Sequence, residues 1–120
     1  MAIAILDSQM TIIQPSGHIN ASNAPEFKRQ LTSAFASERH CVLVDMQRVE
    51  SLDSAGLMAL VSALSMSQNL NLRFSICSLP PSIQIIFELT QLDRVFEIFE
   101  SREAFKSSIV LSDQAVKLIA

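Results

Sequence analysis

The sequence contains little of several residue types on which particular functions depend. It has no tryptophan or tyrosine, two glycines, and nine lysine and arginine residues against twelve acidic ones, which gives a net charge of −3. Its densest basic stretch is the pair Lys28-Arg29. Proteins that bind nucleic acid concentrate positive charge on one surface, and this sequence has no such concentration. We therefore expect no nucleic-acid partner.

Cysteine is also scarce, and neither of the two cysteines stands in a metal-binding pattern. Cys41 and Cys77 lie within the apolar stretches CVLVDM and LRFSIC, without a C-x-x-C spacing and without a histidine at ligand spacing. No apolar run approaches the ~18–20 residues of a membrane-spanning helix, and the N-terminal residues lack the basic leader of a signal peptide. We expect a cytoplasmic protein with buried thiols, no metal, no other cofactor and no direct insertion into a membrane.

What the sequence does have is enough apolar material for one folded domain. Hydrophobic residues make up 49% of its 120 residues and charged residues 18%, a balance that is not typical of disordered chains. No repeat and no linker-like stretch divides the chain. The length therefore predicts a single domain over residues 1–120.

The spacing of apolar residues predicts alternating strands and helices. The strand-like runs are 2–6, 10–15, 41–46, 72–77 and 94–99, and the helical runs are 23–38, 54–69, 82–89 and 101–109, with loops over 17–22 and 47–53. Asn23 and Glu26 form a capping-box pattern, and Ser82 is a candidate cap for the third helix. This order predicts an α/β domain with a central mixed sheet of about five strands, parallel in its middle, flanked by about four helices.

The stretch LDSAGL, residues 52–57, joins a predicted strand region to the second predicted helix. In α/β sheets, functional sites lie beyond the carboxyl ends of the strands, where this junction is expected. One interpretation is a hydrolase nucleophile elbow, G-x-S-x-G, with Ser54 as the nucleophile. Leu52 occupies the position of the first glycine, although Gly56 fits the second. A base would have to come from His18 or His40, of which only His18 is expected near this rim, and one histidine does not make a triad.

Two other interpretations use the same residues. Asp53 or Ser54 could cap the helix by accepting a hydrogen bond from its first turn, and Gly56 would then mark a close contact between helix and strand. Alternatively, Ser54 could accept a phosphate, because a hydroxyl at a helix N-terminus is usually exposed and the helix dipole favours negative charge there. Phosphorylation adds about −1.5 to −2 charges, which Asp53 would oppose, as would Asp45 if it lies nearby. Such a site would act as a switch.

The sequence resembles the STAS family, in particular the bacterial anti-sigma factor antagonists. The segment GHIN resembles the Gly-x-hydrophobic-Asp loop of the family, and CVLVDMQRVESLDSAGLMAL resembles its strand, phosphorylation loop and following helix. SIQIIFELTQLDRVFEIFES resembles its closing segment. The resemblance extends over nearly the whole chain. It implies that Ser54 is the phosphorylated serine, between Asp53 and Ala55-Gly56, and that Asn20 stands at the loop aspartate of the family. The predicted switch loop therefore consists of Asp53, Ala55, Gly56, Asn20 and Asp45.

Family membership would imply partner switching without catalysis. The unphosphorylated domain binds an anti-sigma factor, often a serine kinase of the histidine-kinase-like ATPase type, and so frees a sigma factor. The kinase phosphorylates the serine, and a PP2C-type phosphatase reverses the modification. The alternative within the family is an accessory domain of a transporter or of a lipid-trafficking complex, which the retained Ser54 does not favour.

Three positions qualify the resemblance. Asn20 replaces a carboxylate of the family, which leaves less negative charge near the phosphorylated serine. Gln91 stands where LTGL is frequent in the family, so glycine is replaced in a turn. Ser51 is a second hydroxyl in the loop and a weaker candidate for phosphorylation, because it lies three residues before Ser54.

The helix that begins at Ser54 carries a second stripe of residues at helical spacing. Its members are Ala55, Met58, Ala59, Ser62 and Met66. Small residues permit close approach and methionine adapts to a partner, so the stripe is a candidate docking surface with Ser54 at its edge. The alternative is that it packs against a neighbouring helix of the same domain.

Overall fold

The computed structural model describes residues 2–6, 10–36 and 41–109. The strands are β1 (Ala2–Leu6), β2 (Met10–Pro15), β3 (Gly17–Ile19), β4 (Cys41–Asp45), β5 (Val49–Leu52), β6 (Arg73–Cys77) and β7 (Glu97–Phe99). The helices are α1 (Ala24–Phe35), α2 (Ser54–Asn69), α3 (Pro81–Leu89) and α4 (102–109), and a 3-10 turn (Leu92–Arg94) precedes β7.

Five strands form the central sheet in the order β1-β2-β4-β6-β7. The β1–β2 pair is antiparallel, and the other three pairs are parallel, as the alternation of strands and helices predicts. The predicted mixed α/β sheet of about five strands with about four helices is therefore confirmed.

A second, two-stranded parallel sheet lies where we predicted loops. In it, β3 pairs with β5, so that His18 lies opposite Ser51 and Ile19 opposite Leu52. The loop predictions for 17–22 and 47–53 were wrong at these strands. The strands are three and four residues long and partly polar, too short for a local pattern to identify them.

The two faces of the central sheet bury separate cores. The larger core joins the sheet to α1, α2 and α3, and contains Phe27, Leu60 and Phe87. The smaller core joins Leu43 and its neighbours on the other face to Phe105 of α4. All five residues of β4 are buried, which confirms the prediction of a strand covered on both sides.

Both cysteines are buried in the smaller core, as expected. Burial raises the pKa of the Cys77 thiol to about 11. The thiol is therefore protonated at neutral pH, and a protonated thiol is neither a good nucleophile nor a metal ligand. Cys77 acts as a small apolar side chain.

The predicted capping box at α1 is wrong. Asn23 does precede the helix, but its side chain makes no cap hydrogen bond. Its Oδ1 instead accepts from the backbone N–H of Asn20 at 2.9 Å, and its Nδ2 donates to the carbonyl of His18 at 2.7 Å. Glu26 forms an ion pair with Arg29. Asn23 thus organises the loop that precedes the helix.

Two boundaries near the third helix also differ from the prediction. Helix α3 begins at Pro81, because proline is favourable in the first helical turn. The cap position is therefore occupied by Pro80 rather than by Ser82. Strand β7 is shorter than predicted because the 3-10 turn occupies part of the segment. Gln91 has a φ of 61°, in the left-handed region that glycine adopts without strain, at the position where the resembled family often has glycine.

Candidate functional site

Ser54 is the first residue of α2, and it is exposed. Strand β5 leads directly into this helix, with Asp53 as the single connecting residue. The first backbone N–H groups of a helix and its dipole create a positive potential at this end. The Ser54 hydroxyl therefore lies at the surface, where a modifying enzyme has access to it.

Asp53 caps the helix and also ties it to a neighbouring loop. Its Oδ1 accepts from the backbone N–H of Gly56 at 3.0 Å, and its Oδ2 accepts from the backbone N–H of Ala21 at 3.1 Å. The capping interpretation is therefore correct for Asp53, where a cap is worth about 1 kcal/mol. Because Asp53 supplies the cap, capping does not explain the hydroxyl of Ser54.

Asn20 lies in the loop that Asp53 holds. Its Oδ1 accepts from the backbone N–H and the hydroxyl of Ser22, at 3.0 and 2.6 Å, and this closes a turn. The pairing of β3 with β5 continues through a hydrogen bond from the Asp53 N–H to the Ile19 carbonyl, at 3.1 Å. The structure thus brings Asn20, Asp53 and Ser54 together at one end of α2, although 32 residues of sequence lie between the first two.

Gly56 lies where α2 crosses the two-stranded sheet. A Cβ atom at this position would stand 2.6 Å from Leu52 Cδ1 and 2.7 Å from Ile19 Cγ2. Separations below 3.0 Å essentially never occur, so only glycine fits without a shift of its neighbours. The close approach fixes the position of the Ser54 end of the helix against β3 and β5.

Asp45 does not belong to this site, which corrects the sequence-based prediction. Its side chain is 2% exposed, and its Oδ2 accepts from Arg102 Nε at 2.5 Å and from Gln14 Nε2 at 3.2 Å. Its Oδ1 accepts from the backbone N–H of Gln47 at 3.0 Å. Along β4, side chains alternate between the two faces, and Asp45 shares the α4 face with Leu43. The charge of Asp45 is therefore neutralised by Arg102 of α4.

The hydrolase interpretation receives no support from the histidine that the structure describes. His18 Nδ1 lies 2.6 Å from Ser51 Oγ, and its Nε2 lies 3.7 Å from a carboxylate oxygen of Glu50. His18 thus contacts Ser51 across the β3–β5 pair and is not aimed at Ser54. Ser51 stands within a strand, away from the first turn of α2. His40, the other candidate base, lies outside the described residues.

The predicted docking stripe on α2 is divided between the surface and the interior. Met58 is 58% exposed, while Ala55 and Ser62 are half-buried. Ala59 is 4% exposed in the larger core, and Met66 packs against that core. Only Ala55, Met58 and Ser62 therefore remain candidates for a docking surface. Ala59 and Met66 follow the packing alternative, because Ala59 is buried in the larger core and Met66 packs against it, although Ala59 also borders the groove between α1 and α2.

The exposed part of the stripe forms one wall of a groove between α1 and α2. The groove has a volume of about 390 Å³ and is lined by Ala21, Ala24, Pro25, Lys28, Ala55, Met58, Ala59 and Ser62. We did not predict the contribution of α1. Pro25 and Lys28 lie three residues apart on the exposed side of α1, away from the buried Phe27, and this spacing could have indicated that α1 contributes to the groove.

The apolar spacing of α2 predicts an inward face of Leu57, Leu60, Val61 and Leu64, and all four contribute to the larger core. Leu60 is buried and the other three are half-buried, while the remaining buried residues of the helix are Gly56, Ala59, Ala63 and Ser67. Apolar residues surround most of this helix, so the spacing did not identify the small residues on its buried face. Small residues face inward because α2 packs closely against α1 and the strands.

Neither a metal site nor a membrane span is found in the part of the chain that the structure describes. Within 2–6, 10–36 and 41–109, histidine, cysteine and acidic side chains do not gather in threes to hold a metal ion. Within the same ranges, every helix is too short or too polar to cross a bilayer.

Comparison with known proteins identifies a family and a fold. The model of the STAS domain family matches residues 3–105. Over 95 residues the chain is 25% identical to BtrV of Bordetella bronchiseptica, whose provisional name is anti-sigma factor antagonist, and the match covers 79% of this chain and 82% of BtrV. An anti-sigma factor antagonist from Mycobacterium paratuberculosis has a similar structure, with a TM-score of 0.79, 20% identity, and coverage of 89% of this chain and 92% of that one. The phosphorylated form of SpoIIAA, a Bacillus cell fate determinant, gives a TM-score of 0.69 at 13% identity, with coverage of 90% and 99%.

Proposed function

Because this chain belongs to the STAS domain family, we propose that it is an anti-sigma factor antagonist whose binding is controlled by phosphorylation of Ser54. In this proposal the unphosphorylated protein binds an anti-sigma factor that is also a serine kinase of the histidine-kinase-like ATPase type. Phosphorylation of Ser54 releases the partner, and a PP2C-type phosphatase restores the binding form. The protein acts by binding rather than catalysis, in the cytoplasm, where sigma factors work.

One observation carries the proposal: Ser54 is exposed at the start of α2 while Asp53 supplies the cap. The hydroxyl of Ser54 does not cap the helix, so a phosphate on it would not remove the cap. The positive end of the helix also favours the added negative charge. A phosphorylated Ser54 would keep the fold and change the surface. The unphosphorylated and the phosphorylated forms of SpoIIAA both resemble this fold, which supports the proposal that the fold is kept.

The groove beside Ser54 provides the contact that phosphorylation would weaken. Its apolar lining from Ala55 and Met58 is next to the modified residue, so a bound partner would cover or crowd the phosphate. Burying an unpaired phosphate costs several kcal/mol, and each 1.4 kcal/mol lowers affinity about tenfold. The negative charge of Asp53 at the same helix end adds to this cost.

The proposal predicts opposite effects for two variants of Ser54. Ser54→Asp should weaken binding of the anti-sigma factor by about tenfold or more, because it places a permanent charge at the groove. Ser54→Ala should bind within about a factor of two of the unmodified protein, since it removes an exposed hydroxyl. Isothermal titration calorimetry against anti-sigma kinases encoded in the same genome measures both. Incubation with kinase and ATP, followed by peptide mass spectrometry, should place phosphate on Ser54. Equal binding by both variants, or phosphate on Ser51, would contradict the proposal.

A second variant tests the groove itself. Met58→Glu should abolish detectable binding while changing the free energy of unfolding by about 0.5 kcal/mol or less, because the Met58 side chain is largely exposed. Ser65→Glu is the matched control, since Ser65 is exposed on the same helix and does not line the groove. It should retain binding. If Met58→Glu unfolds the protein, the whole stripe serves packing and the docking surface lies elsewhere.

A further inference from the structure

A second cavity opens at the carboxyl ends of β6 and β7, between α3 and the 3-10 turn. Its volume is about 360 Å³, and its lining consists of Leu79, Gln84, Phe87, Glu88, Asp93, Ile98, Phe99 and Glu100. This volume is at the low end of the range for ligand pockets, roughly 300–1,000 Å³. The carboxyl edge of parallel strands is where α/β proteins bind their ligands. The cavity shares no lining residue with the groove beside Ser54.

The floor of this cavity is apolar, and apolar side chains continue outside it. Phe87 is fully buried, while Ile98 and Phe99 are half-buried and present part of their surface. On α3, the neighbouring side chains of Ile85 and Leu89 are 54% and 79% exposed. These two residues are four apart on one helix and form an exposed apolar ridge on α3, and neither of them lines the cavity. Exposed apolar side chains of this kind are typical of an interaction surface.

The rim of the cavity is negatively charged. Glu88, Asp93 and Glu100 are exposed there, and lysine and arginine are absent from the lining residues that the structure describes. Gln84 Nε2 donates to Glu88 Oε1 at 3.2 Å, which helps to hold that carboxylate on the rim. Three carboxylates around an apolar floor select for a ligand that is both cationic and apolar.

We infer that this surface binds a segment of another protein in which lysine or arginine side chains flank a large apolar side chain. The apolar side chain would enter the cavity against Ile98 and Phe99, and the basic side chains would meet the rim carboxylates. A second copy of this chain is a poorer occupant, since it has a net charge of −3 and no run of basic residues. The contact uses α3 and β7, so phosphorylation of Ser54 leaves it intact. The protein could then hold one partner here while the other is exchanged at α2.

A labelled peptide, acetyl-Lys-Leu-Phe-Lys-Leu-amide, serves as the probe in fluorescence anisotropy with the full chain. We expect binding at low ionic strength that the double variant Glu88→Gln/Asp93→Asn weakens roughly fivefold, and that added salt also weakens. Glu26→Gln/Glu50→Gln is the control, because it removes two exposed carboxylates and changes the net charge equally. It should bind as the unmodified protein does. NMR shifts should concentrate at Ile98 and Phe99.

Three results would overturn this inference. They are equal weakening by the control variant, equal binding of a peptide with glutamate in place of lysine, and concentration-dependent dimerisation that Leu89→Ser abolishes, which would assign the surface to a second copy. Ser54→Asp should bind the probe with unchanged affinity. Loss of probe binding would therefore leave the proposed function of Ser54 standing. Conversely, if Ser54 is not phosphorylated, binding of the probe at this surface is unaffected.

Discussion

Replacing Arg102 with alanine should lower the free energy of unfolding by about 3 kcal/mol. The Arg102 guanidinium donates to Asp45 Oδ2 at 2.5 Å, and the Asp45 side chain is 2% exposed. Without the arginine, Asp45 keeps its hydrogen bonds from Gln14 and the Gln47 N–H but has lost its counter-charge. A buried carboxylate without a positive partner is strongly destabilising. Domains of this size are typically stable by about 5–15 kcal/mol, so the loss is large.

The consequence should be strongest in α4, because Arg102 begins that helix. The helix is otherwise held by Phe105 in the smaller core and by a hydrogen bond from Arg73 to Ser108 at 3.2 Å. Hydrogen exchange in 102–109 should therefore accelerate in Arg102→Ala by more than exchange in α1.

Urea unfolding measures the effect, and an exposed ion pair supplies the control. Arg29 also lies 2.5 Å from a carboxylate oxygen, that of Glu26, but these side chains are 66% and 45% exposed. Arg29→Ala should lower stability far less than Arg102→Ala does, because solvent screens this exposed pair. The double variant Asp45→Asn/Arg102→Ala should recover part of the loss, because it removes the unpaired charge. Similar losses for the two arginine variants would show that burial of Asp45 does not determine the strength of the contact.

The same ion pair illustrates where sequence reasoning about the site failed. Asp45 is nine residues from Ser54, so proximity along the chain suggested a shared site. Alternation along β4 decides otherwise, because Leu43 and Asp45 point to one face and Val44 to the other. The alternation of faces along β4 could be predicted from the sequence, but the residue that Asp45 contacts on its face could not. The partner of Asp45 follows 57 residues later, and no local pattern reveals such a contact.

Local chemistry did predict that a helix begins at Ser54 with a side-chain cap, and it left open whether Asp53 or Ser54 supplies that cap. A carboxylate before a helix caps it through the backbone of its first turn, which depends on neighbouring residues alone. The long apolar strands were also predictable, since burial on both faces leaves a continuous apolar run. The β3–β5 pair was not predictable from sequence, because each of these short strands is formed by pairing with the other, for example His18 with Ser51, which are far apart in the chain. That pairing brings Asn20 to Asp53.

Gly56→Ala should destabilise the domain by about 2 kcal/mol, although alanine is the better helix former. Alanine gains at most about 1 kcal/mol of helix propensity over glycine, and less near a helix end. Against this gain, the added Cβ would lie 2.6 Å from Leu52 Cδ1 and 2.7 Å from Ile19 Cγ2. Ile19 is fully buried and β-branched, so it cannot turn away easily, and overpacking of this kind costs typically about 1–3 kcal/mol. Chemical denaturation should show the loss. Ser65→Ala, an exposed substitution in the same helix, should instead gain a few tenths of a kcal/mol.

The origin of the loss can be separated from a general effect of substitution in α2. Ile19→Ala removes the Cγ2 atom that the new Cβ would meet, at the cost of a cavity of its own. Gly56→Ala combined with Ile19→Ala should therefore be more stable than the sum of the single losses allows, by about 1 kcal/mol or more, since contacting sites couple. Strict additivity would place the cost of Gly56→Ala in the helix backbone rather than in the contact with β3. If the contact is the cause and Ser54 is phosphorylated as we propose, Gly56→Ala should also slow that phosphorylation, because the helix end that carries the hydroxyl is displaced from its position against β3 and β5.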